Sequence, residues 1–235
     1  MQIVIIAGGL ATRLYPITQK IPKSMIEIGG RPFLEWQIKL LKKNKIKDIV
    51  LCVGNMSDQI KEYFKDGKEF GVNLQYSQEK PDQLLGTGGA LKNAEELLQE
   101  VFMVTWGDSY LDLDYQKAQE FFLKKNKLGM MSVWHNRNEI EPSNVEIQKD
   151  LVKSYSKKRK TKKMEYIDYG LMIFKKEALK YLPKNKKSDF SILNQALIKR
   201  KQLLAYDTGK RYYQIGNFQG LEELKDLVNK KKIKF

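Results

Sequence analysis

Two residue types that build many active sites are nearly absent. The 235-residue chain has one cysteine, Cys52, and one histidine, His135. A single cysteine excludes an internal disulfide. Together the two cannot assemble a zinc site or a Ser-His-Asp triad. Cys52 sits in the apolar run Ile49-Val50-Leu51-Cys52-Val53, which reads as the place of a buried, inert thiol. His135 reads as a surface or pairing residue. No apolar run reaches about 18 residues, so no membrane span is expected. The N-terminus has no basic n-region, apolar h-region or cleavage site, and a cytoplasmic location is expected. There is no G-x-x-x-x-G-K-[ST] and no opening G-x-G-x-x-G, which argues against a P-loop and a dinucleotide cofactor. Linkers, internal repeats and low-complexity segments are missing too, so residues 1–235 read as one domain.

What is abundant is positive charge. The formal net charge is +15, and much of the excess lies in two runs, Lys153 to Lys163 and Lys230 to Lys234. Such a balance favours anionic partners: nucleic acid, a membrane surface or phosphorylated small molecules. A lysine-rich solvated surface gives the same numbers. The first run holds Tyr155 but no repeated aromatic platform, which is poor material for binding nucleic acid. That reading also leaves the glycine loops below without a role, so no nucleic-acid partner is expected. Hydrophobic residues make up 42% of the chain, enough to bury a sizeable core.

The first turn organises the rest. Ile3 to Ile6 is β-branched and apolar, and it predicts a buried central strand. It runs into Ala7-Gly8-Gly9-Leu10-Ala11-Thr12-Arg13-Leu14. The glycine pair predicts a sharp turn with bared amides, an anion-binding nest. Arg13 adds a fixed positive fork. From these residues alone, a phosphate site and a plain βα turn with a surface arginine both remain open. Pro22 predicts an extended segment that carries Lys23, and a helix starts at Pro32. Strands follow at 46–53 and 72–77, with a helix from Ser57 between them. A second glycine loop, Leu85-Gly86-Thr87-Gly88-Gly89, opens a helix over 90–98 and predicts another set of bared amides. The strand Val101 to Trp106 then ends in Gly107-Asp108-Ser109. A carboxylate at the end of a buried parallel strand sits where ligands bind in open α/β sheets.

This alternation predicts an α/β fold with a doubly wound, Rossmann-like sheet. Further on, helices are expected at 114–127, 176–181, 191–199 and 220–228. Strands are expected at 129–135, 143–147, 166–174, 203–207 and 212–215, with Leu151-Val152 closing a hairpin. Gly170 predicts a bend in its strand. Residues 153–163 read as a charged loop. Arg13, Lys23, the loop amides and Asp108 form one proposal: a triphosphate held by cations and amides, with Asp108 on a divalent metal. The helix-capping or turn role common for aspartate stays open for Asp108.

Four ordered motifs carry a family resemblance: Ala7-Gly8-Gly9-Leu10-Ala11-Thr12-Arg13-Leu14, Ile21-Pro22-Lys23-Ser24-Met25, Leu85-Gly86-Thr87-Gly88-Gly89-Ala90 and Gly107-Asp108. The chain resembles the bacterial sugar-phosphate nucleotidyltransferases essentially end to end. The similar branch comprises heptose- and mannose-1-phosphate guanylyltransferases, muramate-1-phosphate uridylyltransferases and CTP:phosphoglutamine cytidylyltransferases of capsule synthesis, and the last are the suspected nearest kin. The resemblance implies a single-domain mixed sheet of the glycosyltransferase-A-like type, with a nucleotide-binding half at about 1–110 and an acceptor-binding half at about 111–235. It implies Arg13, Lys23 and Asp108 as catalytic residues, with Asp108 as a Mg²⁺ ligand. Ala7, Gly8, Gly9, Gln78, Leu85, Gly86, Thr87 and Gly88 are the implied nucleotide-binding residues. Asn144, Glu146, Lys157, Asp168 and Gly170 are implied on the acceptor side. The implied partners are a nucleoside triphosphate, CTP or GTP, and a phosphorylated small molecule. A homodimer stays open.

The chain also departs from the family. An acidic residue usually precedes the late glycine as a second metal ligand, yet here the segment is Tyr213-Gln214-Ile215-Gly216-Asn217. Ser156 stands where related enzymes often place Glu or Asp to bind sugar hydroxyls. The change at Ser156 fits a non-sugar acceptor such as an amino-acid phosphate; with Gln214, either metal binding leans on Asp108 and the phosphates or the acceptor side is altered.

Overall fold

Ile3, Val4 and Ile5 have no exposed surface, and the strand they form lies inside the sheet. The computed structural model describes residues 1–80, 82–230 and 232–233. Lys231 and Lys234 of the second basic run fall outside the described residues. The first half runs β1 (Gln2–Ile6), β2 (Glu27–Ile28), β3 (Arg31–Pro32), α1 (Phe33–Lys43), β4 (Asp48–Val53), α2 (Ser57–Phe64), β5 (Asn73–Gln78), α3 (Gly86–Asn93) and β6 (Val101–Trp106). Next come β7 (Ser109–Tyr110), α4 (Tyr115–Leu123), β8 (Gly129–Trp134), β9 (Val145–Gln148), β10 (Leu151–Tyr155) and β11 (Ile167–Lys175). The chain ends with α5 (Ser191–Lys199), β12 (Leu203–Asp207), β13 (Tyr213–Gln214) and α6 (Phe218–Asn229).

Nine strands form the main sheet in the order β5-β4-β1-β6-β11-β8-β12-β10-β9. The first four are mutually parallel, the doubly wound half predicted from the alternation. β11 then enters antiparallel to both β6 and β8, so the complete sheet is mixed. Strand alternation sends Ile3 and Ile5 to one face and Val4 to the other. The first face packs on α1, α2 and α4 through Leu34, Ile38, Leu41, Ile60, Phe64, Ala118 and Phe122. The second packs on α3 and α5 through Ala90, Leu91, Leu193 and Leu197. Each such side chain contributes roughly 1.5–3 kcal/mol by leaving water. A third cluster joins Leu14, Ile28 and Phe33 to Leu221 and Leu224 of α6, so the C-terminal helix braces the first loop.

Several expectations are corrected. Lys23 lies in a short 3₁₀ turn, Lys23–Met25, not on an extended backbone. The glycines of the second loop lie inside α3 rather than ahead of it. Lys153 to Tyr155 belong to β10, because Tyr155 is buried and pulls the start of the basic run into the sheet. β13 leaves the main sheet and pairs with β7 instead, beside Asp108. The bend at Gly170 is present: its φ is +100°, and the β11–β8 register shifts between Asp168 and Met172. Cys52 is fully buried, and burial raises its pKa strongly, as expected of an inert thiol. His135 stacks on Tyr166 with ring centroids 4.5 Å apart.

Candidate functional site

A cavity of about 610 Å³ opens over the C-terminal ends of β1 and β6. Ligands bind outside the carboxyl ends of the strands in open α/β sheets, and the sheet changes direction next door at β11. The lining draws Ala7, Gly9, Ala11, Arg13, Lys23 and Asp108 from the first half of the chain, and Asn144, Lys157, Lys160, Asp168, Gly170 and Gln214 from the second. The expected triphosphate and acceptor groups thus face one space.

The first loop is shaped differently from its prediction. Neither Gly8 nor Gly9 has a positive φ; the left-handed residue is Ala11, at φ 52° and ψ 39°. That conformation lets the Ala11 carbonyl accept from Leu14 N–H at 3.0 Å and from Thr18 Oγ1 at 2.9 Å, which fixes the turn holding Arg13. Gly8 is needed for close approach, since a Cβ there would lie 2.8 Å from Glu79 Oε2 and 3.1 Å from Gly54 N. Gly9 faces open space, so ligand atoms can reach its backbone.

Asp108 sits on a pinned turn. Gly107 N–H donates to Ile6 O at 2.9 Å, and Ile215 N–H donates to Asp108 O at 2.9 Å. Lys23 Nζ donates to Asp108 Oδ2 at 2.5 Å, and both side chains are partly buried. A cation therefore already neutralises the carboxylate. Asp108 is a suitable ligand for a hard divalent ion. Among the described residues no cluster of three or more His, Cys, Asp or Glu surrounds it. Mg²⁺ fits that donor set, because it takes one or two carboxylates and fills its shell with phosphate oxygens and water.

The second glycine loop does not bare its amides as expected. Gly88 and Gly89 N–H both reach Ser188 O, at 2.9 and 3.3 Å, and Phe190 N–H donates to Thr87 Oγ1. A Cβ at Gly86 or Gly88 would lie 2.8 Å from a carbonyl oxygen of this 188–189 segment. The glycines are thus required by the chain's own packing. Of this loop, Thr87 reaches the cavity wall, while Leu85, Gly86 and Gly88 lie behind it. Gln78 turns outward to Ser57 and Lys61. Its neighbour Glu79 turns inward instead. Glu79 is buried, its Oε1 accepts from Leu85 N–H at 2.7 Å, and loss of hydration raises its pKa.

On the far side, Asp168 forms part of the cavity floor. Desolvation raises its pKa, against the lowering effects of Lys157, Gly170 N–H and Tyr155 OH. Asn144 Oδ1 accepts from Asp168 N–H at 2.9 Å. Glu146, two residues along β9, is not brought into the wall. Ser156 caps the next turn, with its Oγ accepting from Arg159 N–H at 2.8 Å. That turn aims Lys157 and Lys160 at the cavity.

One carboxylate here was missed. Loop 136–143 is clipped shut by buried Asn136 and Ser143, whose side chains bond each other at 3.1 Å. Asn136 Nδ2 also donates to Glu141 O, and Lys160 Nζ donates to Pro142 O. The result places Glu141 in the wall, where Gln214 Nε2 donates to its Oε1 at 2.9 Å. The loop is irregular, so no periodicity in the sequence points to Glu141.

A profile of the family described as "Nucleotidyl transferase" matches residues 2–231. A D-glycero-alpha-D-manno-heptose 1-phosphate guanylyltransferase of Campylobacter jejuni subsp. jejuni is 39% identical over 181 residues, 75% of this chain and 77% of that protein. A UTP–glucose-1-phosphate uridylyltransferase of Synechocystis is 30% identical over 80% of this chain, which spans 53% of that protein. The crystal structure of HddC from Yersinia pseudotuberculosis, complexed with GMP-PN, superposes with a TM-score of 0.79 at 26% identity. That match covers 97% of this chain and 99% of the other. No helix among the described residues is long and apolar enough to cross a membrane.

Proposed function

The chain belongs to the nucleotidyl transferase family, and from that premise we propose that it moves a nucleoside monophosphate from a triphosphate to a phosphorylated acceptor, releasing pyrophosphate. The observation that carries this reading is one cavity whose lining brings Arg13, Lys23 and Asp108 together with Lys157 and Lys160. Residues of about 1–110 serve the nucleotide, and those of about 111–235 mainly the acceptor.

Arg13 and Lys23 bind the phosphates, and Lys23 exchanges its contact with Asp108 for phosphate oxygens as the nucleotide arrives. Asp108 would hold Mg²⁺, which would supply neutralisation of the phosphate charge. Lys157 and Lys160 orient the acceptor's phosphate. One of its oxygens forms a bond to the α-phosphorus while the α–β bridging bond breaks, and pyrophosphate leaves with that electron pair. The attacking oxygen is already ionised at neutral pH, so no general base is needed. Positioning and charge stabilisation carry the rate.

For the substrates we propose CTP and phosphoglutamine, with CDP-glutamine as product, in capsule precursor synthesis. Glu79 beside the first loop supports a base with an amino group, cytosine or guanine, over uracil. Glu141 in the lining supports an acceptor that carries an ammonium group, a cation with which its carboxylate can pair. A second reading is guanylyl transfer to a heptose or mannose 1-phosphate, favoured by the Campylobacter relative and by HddC with GMP-PN. Pyrophosphate release across CTP, GTP and UTP against phosphoglutamine, heptose 1-phosphate and mannose 1-phosphate separates the two. The expected outcome is turnover with CTP and phosphoglutamine, reduced about 10-fold or more by Glu141→Gln, in line with a charge-assisted bond of ~1.5–3 kcal/mol. Turnover confined to GTP and a sugar phosphate selects the second reading.

A further inference from the structure

Gln37 is a polar residue on a face of α1 that otherwise buries Leu34, Ile38 and Leu41. It is 4% exposed, and its Oε1 has no hydrogen-bond partner among the described residues. Burying an amide in that state is costly unless its other end is well used. Its Nε2 donates to Trp106 O at 2.9 Å and to Ser109 O at 2.7 Å. These two carbonyls stand on either side of Gly107-Asp108. Past the Ile6–Trp106 pair, the last of the β1–β6 register, backbone bonds from Gly107 to Ile6 and from Ile215 to Asp108 hold the turn. The Gln37 amide adds a clamp across it, from Trp106 to Ser109.

We propose that Gln37 is a positioning residue for Asp108: its two donated bonds hold the turn so that the carboxylate meets the metal–nucleotide at the right place. This rests on the reading of Asp108 as the metal ligand. Groups that orient a ligating side chain typically govern metal affinity by about 10- to 100-fold when removed.

The test compares Gln37→Met, which removes both donors at similar volume, with Ile38→Val one residue along the same helix. Binding of CTP, GTP and UTP is followed by calorimetry without acceptor, as Mg²⁺ is titrated. Unfolding temperatures are taken in parallel. Gln37→Met is expected to raise the half-saturating Mg²⁺ by about 10-fold or more, whereas Ile38→Val leaves it at the wild-type value although it too lowers the unfolding temperature. On an Asp108→Asn background, Gln37→Met is expected to add no further shift. An unchanged Mg²⁺ dependence in Gln37→Met, or a full further shift in the double variant, overturns the proposal. A shift in binding without turnover for any acceptor supports the positioning role while sinking the transfer reading.

Discussion

The two walls of the cavity are built by opposite means. On the nucleotide side, the turn that carries Asp108 is locked by the sheet: Gly107 bonds to β1, Asp108 to the residue after β13, and Gln37 reaches from α1. On the acceptor side, long side chains extend from two irregular segments, and Lys157, Lys160 and Glu141 are all exposed. The first wall is fixed by elements that the fold needs anyway. The second can be rewritten by changing a loop without disturbing the sheet. A shared transfer chemistry joined to varied acceptors is what that division allows.

The sharpest break of this contrast comes from one lysine on each wall. On the proposed reading Lys23→Ala removes a charge that meets the reacting phosphates, and it leaves Asp108 without its ion-pair partner. A loss of about 10²–10³ in kcat is expected for every acceptor, the scale of removing one donor that stabilises developing charge. Lys157→Ala is expected to act on binding instead. The acceptor KM should rise about 10-fold or more, from the ~1.5–3 kcal/mol of a charge-assisted hydrogen bond, with the KM for nucleotide unchanged. Steady-state kinetics with each substrate varied in turn reads both. Equal effects of Lys157→Ala on the two KM values dissolve the division into walls.

The same contrast explains what could be read from the sequence. β1, β6 and Asp108 were legible because a β-branched run followed by glycine and a carboxylate has few other structural meanings. The bend at Gly170 followed from turn chemistry, whereas the mixed sheet came from the family resemblance and not from the pattern. Gln37 was hidden inside helical spacing, where an interior glutamine looks like any partly solvated residue. Gly88 and Gly89 were misread as bare, because the segment that takes their N–H groups arrives about 100 residues later. Gln214 read as a lost metal ligand, and its link to Glu141 depends on a loop far away in sequence. Residues held by local rules were visible; those held by long-range contacts were not.

A smaller effect concerns the floor between the walls. Burial raises the pKa of Asp168, so the folded state binds its proton more tightly than the unfolded chain does. The folded state then holds more protons in the interval above the unfolded value, and this group's contribution to stability falls as pH rises. It is fully present below an unfolded pKa of about 3.9 and is lost as pH climbs through the raised folded value. Asp168→Asn mimics the protonated form. The variant is expected to unfold at a higher temperature than wild type at pH 7, with the difference vanishing near pH 4. A thermal-melt series across pH checks this, and a constant difference at all pH values counts against a charge buried in the floor.

The smallest effect returns to the first turn and asks how much of its shape is strain. Ala11 holds φ 52° and ψ 39°, a region that costs an L-residue roughly 1–2 kcal/mol. Ala11→Gly removes that cost in the folded state. It also gives the unfolded chain more freedom, which offsets about 0.4–1 kcal/mol. The net change is a gain of about 0–1.6 kcal/mol. Activity distinguishes two roles for the same angle. If Thr18 and Leu14 hold the Ala11 carbonyl firmly, Arg13 keeps its place and kcat is unchanged within about twofold, a barrier difference of ~0.4 kcal/mol. If the alanine methyl itself stiffens the turn, glycine loosens Arg13 and kcat falls while the protein becomes more stable. The two bonds to the carbonyl, at 2.9 and 3.0 Å, favour the first result. A nucleotide wall held by its backbone should tolerate the loss of one methyl group.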